Sequence, residues 1–383
     1  MIDNISRDLC CGCAACYDSC AIGAIVFNEE DCGFLYPAVN KELCISCGKC
    51  LSACGAYFDG VSKDKSILKV YAAQNTENTT LKNSSSGGVF SAAANYILDA
   101  KGVVCGAGFD DDLTLKHIVI DDRSALPKLM GSKYIQSNTR GIYKTVKKHL
   151  NNGVLTMFVG TPCQVRALKM FLKKDYDNLI AVDIICHGVP SQGFFDKYKQ
   201  YLSKKHRRNV REVYFRDKIR GWKGFCVKIV FDDGNEIYEN MDDNLYMRLF
   251  LNNFSIRNSC YNCRANNYRS ESDITLGDFW NIERRNEEFA DNRGTSAVIV
   301  NSLKGAEFFE NIKKRLRYCE DSLDYLVKNN HVLECSVSVP TKKESFIRNY
   351  MNENIDKLDD FCLCESYLDR IKKRVKRVIR RIR

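Results

Sequence analysis

Beyond about residue 60 the apolar positions alternate between helical and extended spacing. SSSGGVFSAAANYILDAKG, from Ser84 to Gly102, opens on small polar residues, continues as an apolar helix and stops at a glycine. VVCGAGF (Val103 to Phe109) and LKHIVI (Leu115 to Ile120) read as strands around an Asp-rich turn, followed by a helix from about Thr139. VLTMFVG (Val154 to Gly160) and LIAVDII (Leu179 to Ile185) are continuous apolar runs, as expected of strands covered on both faces. The helical TPCQVRALKMFL between them completes a parallel βαβ unit. SQGFFDKYKQYLSKK predicts another helix, FCVKIVFDDGNEIYEN a hairpin turning at DDG, and ITLGDF and TSAVIVN the strands that close the sheet. The rest reads as mostly helical. The pattern predicts an α/β body with a mixed sheet, preceded by some 60 residues in which cysteines, not apolar periodicity, set the order.

Of the 20 cysteines in 383 residues, ten fall in the first 54. Cys10, Cys13, Cys16 and Cys20 read C-x2-C-x2-C-x3-C, and Cys44, Cys47, Cys50 and Cys54 repeat that spacing 34 residues later. This is the bacterial ferredoxin run for 4Fe-4S clusters, in which the fourth cysteine of each run serves the other cluster. The rule assigns Cys10, Cys13, Cys16 and Cys54 to one cluster and Cys44, Cys47, Cys50 and Cys20 to the other. Small residues between the ligands (Gly12, Ala14, Ala15, Ser46, Gly48) let backbone N–H groups approach the sulfurs. The usual proline after the fourth cysteine is replaced by Ala21 and Gly55, and it ligates nothing. Zinc also accepts C-x2-C pairs, but the duplicated eight-cysteine run is an iron–sulfur spacing. Cys11 and Cys32 fall outside it and read as spare thiols.

No run approaches the roughly 20 apolar residues of a membrane span, and MIDNISRDLCCGC lacks the basic-then-apolar opening of a signal peptide. A cytoplasmic location is expected, where a disulfide framework of 20 cysteines is disfavoured and metal or redox chemistry becomes the first suspect. The formal net charge of +10 comes almost wholly from RIKKRVKRVIRRIR at 370–383, with nine Lys or Arg and no acid. Ile371, Val375, Val378, Ile379 and Ile382 form one helical stripe there. Such a helix suits an anionic membrane surface or an acidic partner, or packs on the body by its stripe. Because the remaining 369 residues carry only +1, nucleic acid is not an expected partner.

Ligands in such sheets gather at the carboxyl ends of strands. GTPCQ (Gly160 to Gln164), CHGVP (Cys186 to Pro190) and GDFW (Gly277 to Trp280) each follow a strand, and SSSGG (Ser84 to Gly88) opens a helix whose free N–H groups suit a phosphate. Taken singly, each reads equally as a cap, turn or packed corner. No dinucleotide fingerprint or P-loop is present. Cys260 and Cys263 form another C-x2-C, and with Cys163 and Cys186 make a non-contiguous quartet suited to a third 4Fe-4S cluster or to a structural zinc. Cys105, Cys226, Cys319, Cys335, Cys362 and Cys364 read as free thiols.

SSSGGVFSA, GSKYIQS (Gly131 to Ser137), VGTPCQVRALK, VDIICHGVPS and SCYNC…SDITLGDFW, in this order, resemble the beta subunit of the coenzyme F420 hydrogenases and dehydrogenases. The resemblance covers roughly residues 1–305, the two-cluster unit being similar to the front of longer members. It implies an FAD-binding α/β core with one more 4Fe-4S cluster, at Cys163, Cys186, Cys260 and Cys263. It further implies flavin contacts at Ser85, Ser86, Gly87, Gly88, Lys133, Tyr134 and the Gly160–Thr161–Pro162 turn. His187 and Asp278 are candidates for proton handling, beside the plainer readings of a packed histidine and a turn aspartate. The implied organisation is a ferredoxin unit at 1–60, a flavin-binding core in two parts at 61–150 and 151–305, and a helical region at 306–383. The implied activity is that of an iron–sulfur flavoprotein oxidoreductase joining an external electron carrier or redox partner protein to a small organic substrate, deazaflavin-like or other. A non-catalytic electron-transfer subunit is the alternative.

Overall fold

The computed structural model describes residues 1–56, 69–265 and 271–363; the basic stretch at 370–383 lies outside these. At the N-terminus β1 (Ile25–Glu30) and β2 (Phe34–Val39) form a hairpin, paired from Ile25↔Val39 to Glu30↔Phe34. Two short helices, Ala15–Ser19 and Lys49–Ser52, each sit inside one cysteine run and pack together. Both runs turn through left-handed residues at matching positions: Gly12 (φ 66°) and Ala14 (58°) in the first, Ser46 (56°) and Gly48 (71°) in the second. Successive turns of this kind aim backbone N–H groups inward and make anion-binding concavities.

The body is built on an eight-stranded sheet. Its strands are β3 (Lys69–Asn75), β4 (Val103–Phe109), β5 (Leu115–Ile120), β6 (Thr156–Gly160) and β7 (Leu179–Ile184), with three more from later in the chain. Between these come β8 (Val210–Asp217), β9 (Cys226–Phe231) and β10 (Glu236–Asn240), a separate antiparallel sheet. The large sheet is completed by β11 (Ile274–Asp278), β12 (Ser296–Val300) and β13 (Leu316–Asp321), in the order β13-β3-β12-β11-β7-β6-β4-β5. β4, β6, β7 and β11 run parallel to their neighbours in that series, and the other pairings are antiparallel. The mixed α/β class, the parallel βαβ unit and the DDG hairpin are as the apolar pattern predicts.

Two placements differ from expectation. β11 and β12 do not close the sheet but lie in its middle, because β3 and β13 extend it beyond β12. The C-terminal region, though largely helical, supplies β13 as an edge strand, and its alternating burial is present in LRYCED as a weak period of two. β8 joins the DDG hairpin with register shifts between Val210/Glu212 and Tyr214/Asp217. Such irregularities re-aim side chains, and here Arg216 and Asp217 lie at the second shift.

The N-terminal unit is packed into the body. Ile2, Ile5 and Tyr36 share one apolar core with Phe194, Tyr198 and Phe346. The Asp18 carboxylate receives the backbone N–H groups of Gly141 (2.6 Å) and Tyr143 (2.9 Å), at the start of the helix Ile142–Asn151, where negative charge meets the positive end of the helix dipole. Thr139 and Tyr143 both donate their hydroxyls to the Cys13 carbonyl, at 2.7 and 2.8 Å. The first cysteine loop is therefore clamped by the core, not merely tethered to it. Among the described residues no helix is long and apolar enough to cross a membrane.

Candidate functional site

Cysteines from five stretches of chain line two adjoining cavities. The smaller, about 330 Å³, is lined by Cys10, Cys13, Cys16 and Cys54 together with Ile2, Ile5 and Phe27. The larger cleft, about 800 Å³, is lined by Cys163, Cys186, Cys260 and Cys263, with Thr161, Pro162 and His187 on its wall. Cys11 and Cys13 line both, and the Cys11 thiol interacts with Cys13 and Cys163 at once. A thiol that reads as spare in the sequence thus stands at the meeting point. Cys44, Cys47, Cys50 and Cys20 lie toward the surface, Cys47 exposed and the others half-buried.

Local structure explains the inner arrangement. Thr161 and Gln164 form a reciprocal capping box, with Pro162 at the first turn, so the helix Pro162–Leu172 starts immediately after β6 and presents Cys163 at its head. Cys186 follows β7, the neighbouring parallel strand. Burial pushes the Cys16 and Cys186 thiols well above their ordinary range, and Cys260 up to about 12. Thiols so placed become ligands only when a bound metal takes the proton's place.

The larger cleft is lined by six cysteines, the four of the quartet with Cys11 and Cys13, and the smaller by five, Cys11 again among them. A donor set made of thiols fits an iron–sulfur cluster, which is held by four thiolates.

The residues expected near a flavin gather in a second neighbourhood. Gly87 packs against the paired ends of β3 and β12, donating its N–H to Ser296 Oγ at 2.9 Å and accepting from Asn75 N at 2.6 Å. A Cβ there would lie 2.2 Å from the Ala73 carbonyl, so only glycine fits. Gly88, left-handed at φ 77°, starts the following helix. Ser85 Oγ accepts from Ser132 N at 2.7 Å, and Ser86 Oγ donates to the Thr295 carbonyl at 3.0 Å. The Lys133 ammonium is bonded to the Met130 (2.8 Å) and Gly131 (3.2 Å) carbonyls, and burial pulls it down to about 7. Arg216 binds Asp278 at 2.7 Å and reaches the Tyr134 hydroxyl at 3.4 Å. Trp222 donates to Asp278 at 3.1 Å and stacks on Trp280 at 4.5 Å. Lys218 bonds the carbonyls of Leu81, Ser86 and Arg293, and burial pulls it down to about 8.

Arg216 Nε is a buried donor without a partner among the described residues. With two half-buried lysines bonded to main-chain carbonyls and a stacked tryptophan pair, this neighbourhood fits an anionic group carrying a planar aromatic ring. Asp278 is anchored by Arg216 and Trp222, while His187 is held by Asn253 at 2.7 Å with burial lowering its pKa, so both are tied down.

Residues 131–137 join the two neighbourhoods. Ser132 meets Ser85, and Tyr134 meets Arg216. At the other end, Gln136 donates to the Cys11 carbonyl at 2.7 Å and Ser137 accepts from Gln164 at 3.0 Å. Ser137 also bonds His117 Nδ1 at 2.9 Å, and His117 Nε2 reaches the Val159 carbonyl at 3.0 Å. Of the Gly160–Thr161–Pro162 turn, Thr161 and Pro162 line the cysteine cleft, and Gln164 of the same helix start bonds Ser137 of this segment. Arg216, Trp222 and Lys218 are neighbours of the expected flavin contacts that the sequence does not single out. Arg216 ends a strand whose apolar pattern is too weak to recognise, and the others carry no spacing signal.

Two family models match the chain, both of the coenzyme F420 hydrogenase/dehydrogenase beta subunit: the N-terminal one over residues 70–142 and the C-terminal one over residues 155–324. Among solved structures the chain is similar to one in the F420-reducing [NiFe] hydrogenase complex from Methanosarcina barkeri. That match has 15% identity, covers 77% of this chain and 90% of the other, and has a TM-score of 0.45. No curated protein matches.

Proposed function

The chain belongs to the coenzyme F420 hydrogenase/dehydrogenase beta subunit family, a family of oxidoreductase subunits, and from that premise we propose that it is an iron–sulfur flavoprotein connecting an external one-electron carrier or partner protein to an organic hydride donor or acceptor. One observation carries the reading: Cys163, Cys186, Cys260 and Cys263, from three stretches of chain, line a single cleft that shares Cys11 and Cys13 with the cavity of Cys10, Cys16 and Cys54. Residues 1–60 are then the ferredoxin unit, and 61–150 and 151–305 the two parts of the flavin-binding core.

On this reading the inner ferredoxin set, the outer set (Cys44, Cys47, Cys50 and Cys20) and the core quartet each hold a 4Fe-4S cluster. Ser85, Ser86, Gly87, Gly88, Lys133 and Tyr134 hold FAD, with Gly160, Thr161 and Pro162 on the side facing the cleft. A flavin exchanges two electrons or a hydride with an organic molecule and single electrons with iron–sulfur clusters, which is why the two kinds of group occur together.

The chain's own residues have definable tasks. Lys133 and Lys218 supply positive charge for phosphate or for reduced flavin, and a lysine poised near neutrality also takes up or releases a proton there. Arg216, fixed by Asp278, keeps Tyr134 in place and offers its free Nε–H to an acceptor. The apolar wall of Ile2, Ile5 and Phe27 excludes water from the inner cysteine set, lowering the local dielectric and strengthening every charge interaction there. The exposed outer set is the natural docking point for a partner, and the organic substrate is a deazaflavin or another hydride-exchanging ring.

Anaerobic purification followed by iron, sulfide, zinc and flavin analysis on one sample tests this. About twelve iron, about twelve sulfide and one flavin per chain are expected if three 4Fe-4S clusters are present. Stoichiometric zinc in place of iron would sink the reading, and clusters without flavin would reduce it to an electron carrier.

A further inference from the structure

Arg257 is 1% exposed. It lies three residues before Cys260 and points away from that loop into the N-terminal unit. Its Nε donates to the Cys10 carbonyl at 2.6 Å, one terminal nitrogen to Gln136 Oε1 at 2.9 Å, and the other to the Leu35 carbonyl at 2.9 Å. That last nitrogen also stands 3.7 Å from Cys10 Sγ. The guanidinium lies over the Tyr36 ring at 4.1 Å and the Phe34 ring at 5.2 Å. Its own carbonyl accepts from Cys260 N at 2.9 Å, so this one residue bonds a cysteine of each cavity.

These partners are two main-chain carbonyls, an amide, a thiol and aromatic faces, and among the described residues no carboxylate pairs with it. An arginine stays charged in a protein interior, and a buried charge without a counter-charge is strongly unfavourable. Neutral thiols cannot supply the missing charge. Four thiolates around an iron–sulfur core form a net anion, and Arg257 bonds one cysteine of each such set, Cys10 through its guanidinium and Cys260 through its carbonyl.

We propose that Arg257 is the shared counter-charge of the Cys10/Cys13/Cys16/Cys54 and Cys163/Cys186/Cys260/Cys263 sites, raising the reduction potentials of both together while pinning the ferredoxin unit to the core where they meet. The inference rests on the iron–sulfur reading of those two sets. Reduction adds negative charge, so a fixed cation in a water-poor site favours the reduced form, and net charge and hydrogen bonds near the sulfurs are established determinants of cluster potential. Arg257 is thus a positioning residue that acts on electron affinity and touches no substrate. The outer set, toward solvent, serves as an internal control because water screens charge there.

The test is an anaerobic redox titration of the full-length protein, followed by electron paramagnetic resonance, for wild type, R257M, R257Q and R257K. R257M fills a similar volume with an apolar chain, so it and R257Q give two chances of a folded neutral variant, checked by near-ultraviolet circular dichroism. In either one, two of the three midpoints shift to more negative potential and the third stays in place. R257K, keeping charge but not the fork, shows smaller shifts. Unmoved midpoints, or equal shifts in all three, would overturn the role of Arg257. If neither neutral variant folds, R257K decides: its charge, drawn back from Cys10, lowers the two inner midpoints and leaves the outer one in place, and any other pattern rejects the proposal. A wild-type protein without iron would instead reject the underlying iron–sulfur reading.

Discussion

The two cysteine runs are near copies in sequence and in backbone, yet they occupy opposite environments. Gly12 and Ala14 in the first match Ser46 and Gly48 in the second, and all four are left-handed. The first run is packed against Arg257, Gln136, Thr139 and Tyr143; in the second Cys47 is exposed and Cys44 and Cys50 half-buried, while its last member, Cys54, reaches the inner cavity. On the proposed reading one motif then serves two purposes: spacing makes each loop able to hold a cluster, and the surroundings decide whether that cluster is tuned by the protein interior or left accessible to a partner.

The largest test of this contrast removes one ligand from each run. C16S is expected to lose about four iron and to block flavin bleaching by an external one-electron reductant. C47S is expected to lose a similar amount while leaving the two inner sets loaded and the flavin reducible by a small dye. Iron analysis and anaerobic absorbance check both, and identical behaviour of the two variants would erase the distinction.

A second test exchanges the residues at the matched left-handed position. A Cβ at Gly12 would lie 2.6 Å from Gln136 Nε2 and 2.7 Å from the Arg257 guanidinium. G12S is therefore expected to destabilise by about 2–4 kcal/mol, combining left-handed strain with overpacking, measured by denaturant unfolding. The mirror change S46G, at an exposed residue of the second loop, should stay within about 1 kcal/mol. Comparable losses would show that the core does not close over the first loop.

Acid should weaken the inner side through His117. Burial holds its imidazole down at about 4, against an ordinary value of 6.5, so the unfolded chain takes up that proton first as pH falls. Its contribution is fully present above about pH 6.5, shrinks as pH falls and levels off below about pH 4, a change of up to about 3 kcal/mol. His117 backs Ser137 and Gln164 behind the helix that carries Cys163. H117N is expected to flatten the acid limb of a stability–pH curve, and an unchanged limb would exclude this residue.

The smallest effect separates the flavin neighbourhood from both runs. G87A, whose Cβ would meet the Ala73 carbonyl and Ser296 N, is expected to cost about 1–3 kcal/mol and to lower flavin content without changing iron. Parallel loss of both would mean that the loop holds the fold as a whole and not the flavin site in particular.

Much of the fold is legible in the sequence because the apolar strands at β4 to β7 carry their own signal. β3, β8 and β13 do not stand out in the same way. β8 and β13 mix charged residues with apolar ones on the solvent side, and β3 ends on the buried polar residues Gln74 and Asn75 and follows directly on the stretch 57–68. For the site, cysteine spacing marks the ferredoxin sets and the C-x2-C suggests the quartet, but nothing local marks Cys11 as the residue between cavities. Arg216 and Arg257 look like ordinary charged residues in the sequence. Their meaning lies in Asp278, Tyr134, Cys10 and Leu35, up to 247 positions away.

The sequence alone determined the chemistry available: which thiols stand at cluster spacing, where strands end in glycine-rich turns, and that the charge is concentrated in one terminal stretch. Those properties are local, set by covalent spacing and backbone preference over a few residues. Only the tertiary structure decided that one ferredoxin loop packs against the core and the other lies nearer the surface, that four scattered cysteines share a cleft, and that a buried guanidinium without a carboxylate partner among the described residues stands beside Cys10. Burial, and the unscreened electrostatics that follow from it, depends on packing between segments distant in the chain and has no signature within any one of them.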